Sequence, residues 1–311
     1  MSGLDEFAVI ERLTRSLSLG RAGLWSVGDD GALLAAQDRL VVTDAMVEGR
    51  HFDLRWSSWS DVGFKLLARN VSDIFAMGGR PTAMLLTLAL PGHLTATALD
   101  AFAQGLEAAA ARWCNPVLIG GDTTSVDGPA VLTLTLFGKP GSRTLARSGG
   151  RAGDRLWVDG PLGLAAAGLA LLASGEPHRS EVAVAAHRRP APTPLLPGAM
   201  GAAHACIDIS DGLLLDASRL ARASGCGLVM YDALPGREQL RPLARDGEEL
   251  RAWQLTGGDD YVRLVAAPAS PGRGWTEVGR LTADTGCFLQ REDGTLHAVV
   301  PAGYLHRFGG A

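Results

Sequence analysis

No Cys-x-x-Cys pair, no apolar stretch long enough to cross a bilayer and no excess of basic residues occur in this 311-residue chain. The four cysteines, Cys114, Cys206, Cys226 and Cys287, stand far apart. That spacing argues against a zinc site and a disulfide framework and for reduced core thiols. The longest apolar stretch, residues 162–173, is broken by glycine and falls short of the ~18 residues a membrane span needs. The first residues carry Asp5 and Glu6 and no apolar core, unlike a secretory signal. A soluble, cytoplasmic protein with no membrane partner is expected. The 33 acidic and 29 basic residues leave a net charge of −4, which argues against nucleic acid as the main partner. Also missing are the Gly-x-x-x-x-Gly-Lys-Ser/Thr loop, Gly-x-Gly-x-x-Gly, the Gly-x-Ser-x-Gly elbow, His-Glu-x-x-His and the protein-kinase signatures. A nucleotide enzyme of this sequence needs a different phosphate cradle. No internal repeat and no low-complexity tract is found.

Apolar residues make up 47% and charged ones 20%, the mixture of a folded protein long enough for two domains. Residues 131–137 alternate threonine and leucine as a half-buried strand does. Further strands are predicted at 40–43, 83–90, 156–158, 228–231 and 262–265. Helical spacing of apolar residues predicts helices over 62–77, 94–113, 162–173 and 213–223. Strands and helices intermix, so the class is α/β or α+β. Turn-rich residues at 138–153 suggest a boundary, giving an N-terminal domain over 1–140 and a C-terminal one over 141–311. A Pro-rich loop is expected at 189–198.

The informative feature is the placement of aspartates. Six sites set Asp beside Gly, Ser or Thr at the ends of apolar elements: residues 28–31, 43–44, 72–73, 120–124, 208–212 and 257–261. Carboxylates with small polar neighbours make hard-oxygen sites suited to Mg²⁺, and glycines let backbone approach phosphates. Taken singly, such pairs mark turns and helix N-caps. Asp211 after Ser210 is explained by capping at the start of a helix. Asp73 shares a helix side with Arg69 and Asn70, which a solvated ion pair explains.

As a set, seven segments resemble the thiamine-monophosphate kinase family, of the superfamily that includes aminoimidazole ribonucleotide synthetase and selenophosphate synthetase. They are G-D-D-G-A-L-L (28–34), T-D-A-M-V-E-G-R-H-F (43–52), K-L-L-A-R-N-V-S-D-I-F-A-M-G-G (65–79), L-I-G-G-D-T-T (118–124), R-S-G (147–149), I-D-I-S-D-G-L (207–213) and L-T-G-G-D-D-Y (255–261). The V-E-G-x-H-F stretch and the lack of a cysteine before Cys114 favour the thiamine branch.

The resemblance implies an aminoimidazole ribonucleotide synthetase-like architecture. It has an N-terminal ATP- and metal-binding domain that pairs across a homodimer, and a C-terminal α/β domain. It also implies ATP as co-substrate, several Mg²⁺ ions and thiamine monophosphate as acceptor. Carried over by motif, Asp30, Thr43, Asp44, Asp73, Asp122, Asp208 and Asp211 are metal ligands, with Val42 giving a backbone carbonyl. Gly121, Asp122, Arg147 and Ser210 fall at ATP; Asp44, Asp122 and Arg147 are the catalytic set; His51, Asp259 and Tyr304 hold the thiamine phosphate. One departure is Asp259, a carboxylate one methylene shorter than the family's usual Glu. Two rivals remain: another ATP-using synthetase of the superfamily, and a catalytically silent nucleotide-binding regulator.

Overall fold

The computed structural model describes residues 4–5, 30, 32–34, 39–194 and 200–308. The predicted 189–198 loop is irregular through residue 194; its remainder, like most of the 28–31 segment, lies outside the described residues.

Two sheets organise the chain. The first has the order β2-β3-β6-β4-β5. It is built from β2 (Ala32–Leu34), β3 (Arg39–Val47), β4 (Gly79–Pro91), β5 (Val117–Val126) and β6 (Val131–Pro140). β3, β6 and β4 are antiparallel neighbours, while β5 runs parallel to β4. A parallel pair needs a crossover, here α2 (Ala96–Arg112), which packs on α1 (Trp59–Ala76). The helices cover the face carrying Leu40, Val42 and Met46 of β3 and Leu132, Leu134 and Leu136 of β6, the alternation a pleated strand imposes. The opposite face, with Thr43, Leu85, Thr135 and Phe137, is exposed to half-buried.

α1 starts at a capping box. The Ser58 hydroxyl accepts from the Asp61 amide at 3.2 Å, and the Asp61 carboxylate accepts from the Ser58 amide at 2.9 Å. α1 and α2 cross almost backbone to backbone. A Cβ on Gly105 would stand 1.9 Å from the Ser60 carbonyl oxygen, and one on Gly63 would stand 2.2 Å from that of Phe102. This close packing fixes the pitch of α1, and α1 supplies one wall of the cleft described below.

The second sheet has seven strands in the order β13-β12-β9-β11-β7-β10-β8. They are β7 (Arg155–Val158), β8 (Ala205–Asp208), β9 (Gly227–Tyr231), β10 (Arg263–Ala267), β11 (Thr276–Thr282), β12 (Cys287–Gln290) and β13 (Leu296–Ala298). Around it lie α3 (Leu164–Ala173), α4 (Glu181–Arg188), α5 (Leu213–Ala223), a short α6 (Arg237–Leu240) and α7 (Gly247–Thr256). A two-stranded pair, β1 (Leu4–Asp5) with β14 (Arg307–Phe308), joins the two ends of the described chain. No helix among the described residues is long and apolar enough to cross a membrane. All four cysteines are free, and burial pushes the Cys206 thiol upward.

The predicted strands and the four predicted helices all appear, most of them extended or trimmed by a few residues; α5 matches its predicted span. Strands β1, β2, β5, β8 and those from β11 onward, and helices α4, α6 and α7, carried no expectation from the sequence.

Candidate active site

A cleft of about 1620 Å³ runs between the two sheets' layers. α1 forms its ruler. Lys65, Arg69 and Asp73 lie four residues apart, hence on one helical face about 6 Å per step, and each meets a partner from elsewhere in the chain.

At one end, Asp73 approaches Asp30 and Asp208, whose carboxylate oxygens all lie within 4.8 Å of one another. Asp208 ends β8 and is 3% exposed; it accepts a hydrogen bond from the Ser72 hydroxyl at 2.7 Å. Burial, then the neighbouring carboxylates, pushes the Asp73 and Asp208 protonation equilibria well above the ordinary range. Arg147 opposes this, donating to Asp30 at 2.5 and 3.1 Å. Burial works against the charge of Arg147, yet the surrounding aspartates, Asp30 foremost with Asp208 and Asp216, together raise the guanidinium further. The bland alternative for Asp73, a solvated ion pair with Arg69, is not what forms. Arg69 instead forks onto Asp44 of β3, at 2.5 and 3.1 Å, and leaves Asp73 to the acidic cluster.

Midway, the loop 209–212 is shaped by Asp216, one turn into α5. Its buried carboxylate accepts from the amides of Ser210, Asp211 and Gly212 at 3.1, 2.9 and 3.2 Å. Burial and the nearby Asp211 push its pKa up to about 7. So Asp211 does not cap the helix; Gly212 stands at the N-cap, and Asp211 pairs with Arg219 at 2.5 Å. Backbone bonds then zip neighbouring motifs onto this loop. The Asp259 amide donates to the Ser210 carbonyl, the Tyr261 amide to that of Ile209, and the Tyr304 amide to that of Asp211, at 2.8, 2.8 and 2.9 Å.

At the other end, Lys65 donates to Asp259 at 2.6 Å and the Tyr261 hydroxyl donates to the same carboxylate at 2.8 Å. Burial alone would raise the Asp259 pKa, but Lys65 and Arg69 hold it well below the usual carboxylate range. His51 lies beside Tyr304 and His306, with ring centroids 6.3 and 5.2 Å away. Its Nδ1 accepts from the Val47 amide at 3.0 Å, which fixes the neutral tautomer. Burial, aided by Arg69, lowers its pKa to about 4.

Asp30, Thr43, Asp44, His51, Asp73, Arg147, Asp208, Ser210, Asp211, Asp259 and Tyr304 thus line one cleft. Three sequence-derived positions do not. Val42 points its side chain into the core of α1 and β6. Gly121 and Asp122 lie on β5, the outermost strand of its sheet, exposed beside Val117, Leu118 and Ile119, which are 62%, 50% and 61% exposed. Lys65, Arg69, Asp216, Arg219 and Tyr261 carry much of the site's geometry and were given no role by the sequence reading. The signal for two of them was present as a charged i, i+4, i+8 row, Lys65, Arg69 and Asp73, along α1.

Comparison with known proteins gives a consistent picture. Residues 28–139 match the family described as AIR synthase related protein, N-terminal domain. The thiamine-monophosphate kinase of Mycobacterium tuberculosis is 36% identical over 286 residues, 89% of this chain and 85% of that protein. That of Escherichia coli K12 is 33% identical over 325 residues, 97% of this chain and 98% of its own. The solved structure "AaThiL complexed with AMPPCP and TMP" superposes with a TM-score of 0.83 at 29% identity, covering 97% of each chain.

Proposed function

Because the chain belongs to the thiamine-monophosphate kinase family, we propose that it transfers the γ-phosphoryl group of ATP to thiamine monophosphate, giving thiamine diphosphate and ADP. The observation that carries this reading is the pairing, in one cleft, of the Asp30–Asp73–Asp208 cluster with the Asp259, His51 and Tyr304 pocket. The solved AMPPCP and TMP complex of a relative supports it.

The donor set suits Mg²⁺. It consists of carboxylate oxygens within 4.8 Å, a hard-oxygen set, and crowded acids of this kind are costly without a cation. Asp30, Asp73 and Asp208 would hold the ions, with Asp44, Thr43, Asp211, Asp122 and the Val42 carbonyl as further ligands. When bound, Mg²⁺ would supply the positive charge that offsets the phosphate charges of donor and acceptor. The chain's own part is to orient. Arg147, which holds Asp30, would offer its guanidinium fork to phosphate oxygens, Ser210 and Gly121 would contact the nucleotide, and Arg69 keeps Asp44 in place. The acceptor phosphate has a second pKa near ~6 and is largely a dianion at neutral pH, so no general base is needed. Transfer is direct and in line, with no phosphoenzyme.

A homodimer is part of the same reading. The edge of β5, unpaired among the described residues, and its exposed apolar residues make a surface that a second copy would cover, and Gly121 and Asp122 sit on it. Division into an N-terminal domain to residue 140 and a C-terminal one from 141 is supported by largely separate apolar cores. A cytoplasmic enzyme fits the free cysteines.

The test is ADP release with thiamine monophosphate, thiamine, the aminoimidazole precursor and selenide as acceptors. Turnover with thiamine monophosphate alone, giving thiamine diphosphate, is expected. Turnover with either of the last two, or with none, would overturn the reading. Asp44→Asn and Asp122→Asn are expected to lose orders of magnitude in turnover while the fold survives.

A further inference from the structure

Asp259 is held in a way that its family-derived role does not explain. Both of its oxygens are engaged by the protein: Oδ2 by the Lys65 ammonium at 2.6 Å and Oδ1 by the Tyr261 hydroxyl at 2.8 Å. Lys65 is 3% exposed and Asp259 is 26% exposed at the side chain, so the lysine stands behind the carboxylate and the carboxylate faces the cleft. The two residues are 194 positions apart, one on α1 and the other on the loop after α7. Two non-glycine residues of that loop, Asp259 at φ +65° and Tyr261 at φ +50°, adopt left-handed backbone. Such conformations persist where surrounding structure over-determines them. Here Lys65, Tyr261 and the two backbone bonds to Ile209 and Ser210 do so.

We infer that Lys65, with Tyr261, is a positioning residue for the acceptor: from behind, it holds Asp259 oriented so that its open flank meets the cationic ring of the substrate. This rests on the proposed function, since the thiazolium of thiamine monophosphate is a permanent cation. A carboxylate in a part-buried wall serves a cation only if it stays charged and does not swing to another partner. The competing partner is Arg69, whose field already reaches Asp259. Lys65 prevents that swing. It also accounts for the shorter side chain: an aspartate anchored from behind does from a fixed position what a longer acid does by reach.

The experiment is equilibrium binding by calorimetry, without turnover, of thiamine monophosphate, of its neutral-ring isostere and of a non-hydrolysable ATP analogue. For Lys65→Met the dissociation constant of thiamine monophosphate is expected to rise about tenfold or more, as for loss of one member of a buried charge pair. The neutral isostere and the ATP analogue should move by less than about twofold. Lys65→Arg restores most of the affinity, and Tyr261→Phe shows the same selectivity at about threefold, the value of one hydrogen bond. If Lys65→Met proves unfolded by circular dichroism, the last two variants decide the matter. Equal weakening of all three ligands would reduce Lys65 to a structural pair and overturn the inference, as would unchanged thiamine monophosphate binding in every variant. A wild-type protein that fails to bind thiamine monophosphate would instead sink the functional reading itself.

Discussion

At the Asp30 end of the cleft, three carboxylates crowd within 4.8 Å and the protonation of Asp73 and Asp208 is driven upward. At the Lys65 end, the part-buried Asp259 is driven downward, although burial works against its charge there too. The sign is set by what the fold places opposite each acid. Lys65 and Tyr261 complete Asp259 from within the chain, whereas the first cluster faces more acids and, under the proposed function, would be completed by a cation from outside. α1 builds both ends, because Lys65 and Asp73 lie eight residues apart on one face, about 12 Å along the axis.

The contrast can be broken most severely at the acidic end. Asp208→Asn or Asp73→Asn is expected to lower ADP release by about 10³-fold or more. In the absence of divalent ions the same variants should unfold at higher temperature than the parent, since a like-charge contact is removed. A variant that unfolds earlier would show that these acids stabilise the fold unaided. Between the ends, Asp216→Ala leaves three loop amides without their acceptor and removes one of the carboxylates that Arg219 meets. Chemical denaturation should register a loss of about 3 kcal/mol.

Mg²⁺ itself should raise the unfolding free energy of the parent by about 2.7 kcal/mol at one hundred times its dissociation constant. In Asp73→Asn that gain should shrink sharply, while Lys65→Met should keep it. The smallest effect lies with the buried histidines of the Lys65 end. His51 and His187 have folded pKa values near about 4, burial being the main cause, against about 6.5 when unfolded. The unfolded chain binds more protons between these limits, so their contribution is present above about pH 6.5 and is lost as pH falls toward 4. Melting temperatures measured across that window should fall less steeply for His187→Gln than for the parent.

The sequence showed β6 and α5 clearly, because threonine–leucine alternation and a strong apolar stripe need only local spacing to be read. It misread residues 120–124. Glycine there suggested a turn, yet these residues sit inside β5, where a Cβ on Gly121 would come within 1.9 Å of the Leu86 carbonyl oxygen. The glycine serves close strand approach. The N-cap expected of Asp211 also failed, because a stronger acceptor, Asp216, takes the loop amides and frees Asp211 for Arg219. Lys65 and Tyr261 carried no local signal of their pairing, since it spans 194 residues.

What the order of residues determined alone was the kind of protein: mixed strands and helices, acids beside small residues, and a motif set characteristic of one kinase family. Which acids share a cluster, which are neutralised by a neighbour and which stay apart on an edge strand was decided only by tertiary packing. Coulomb forces and burial act through space over a few ångströms, and no spacing along the chain encodes that distance.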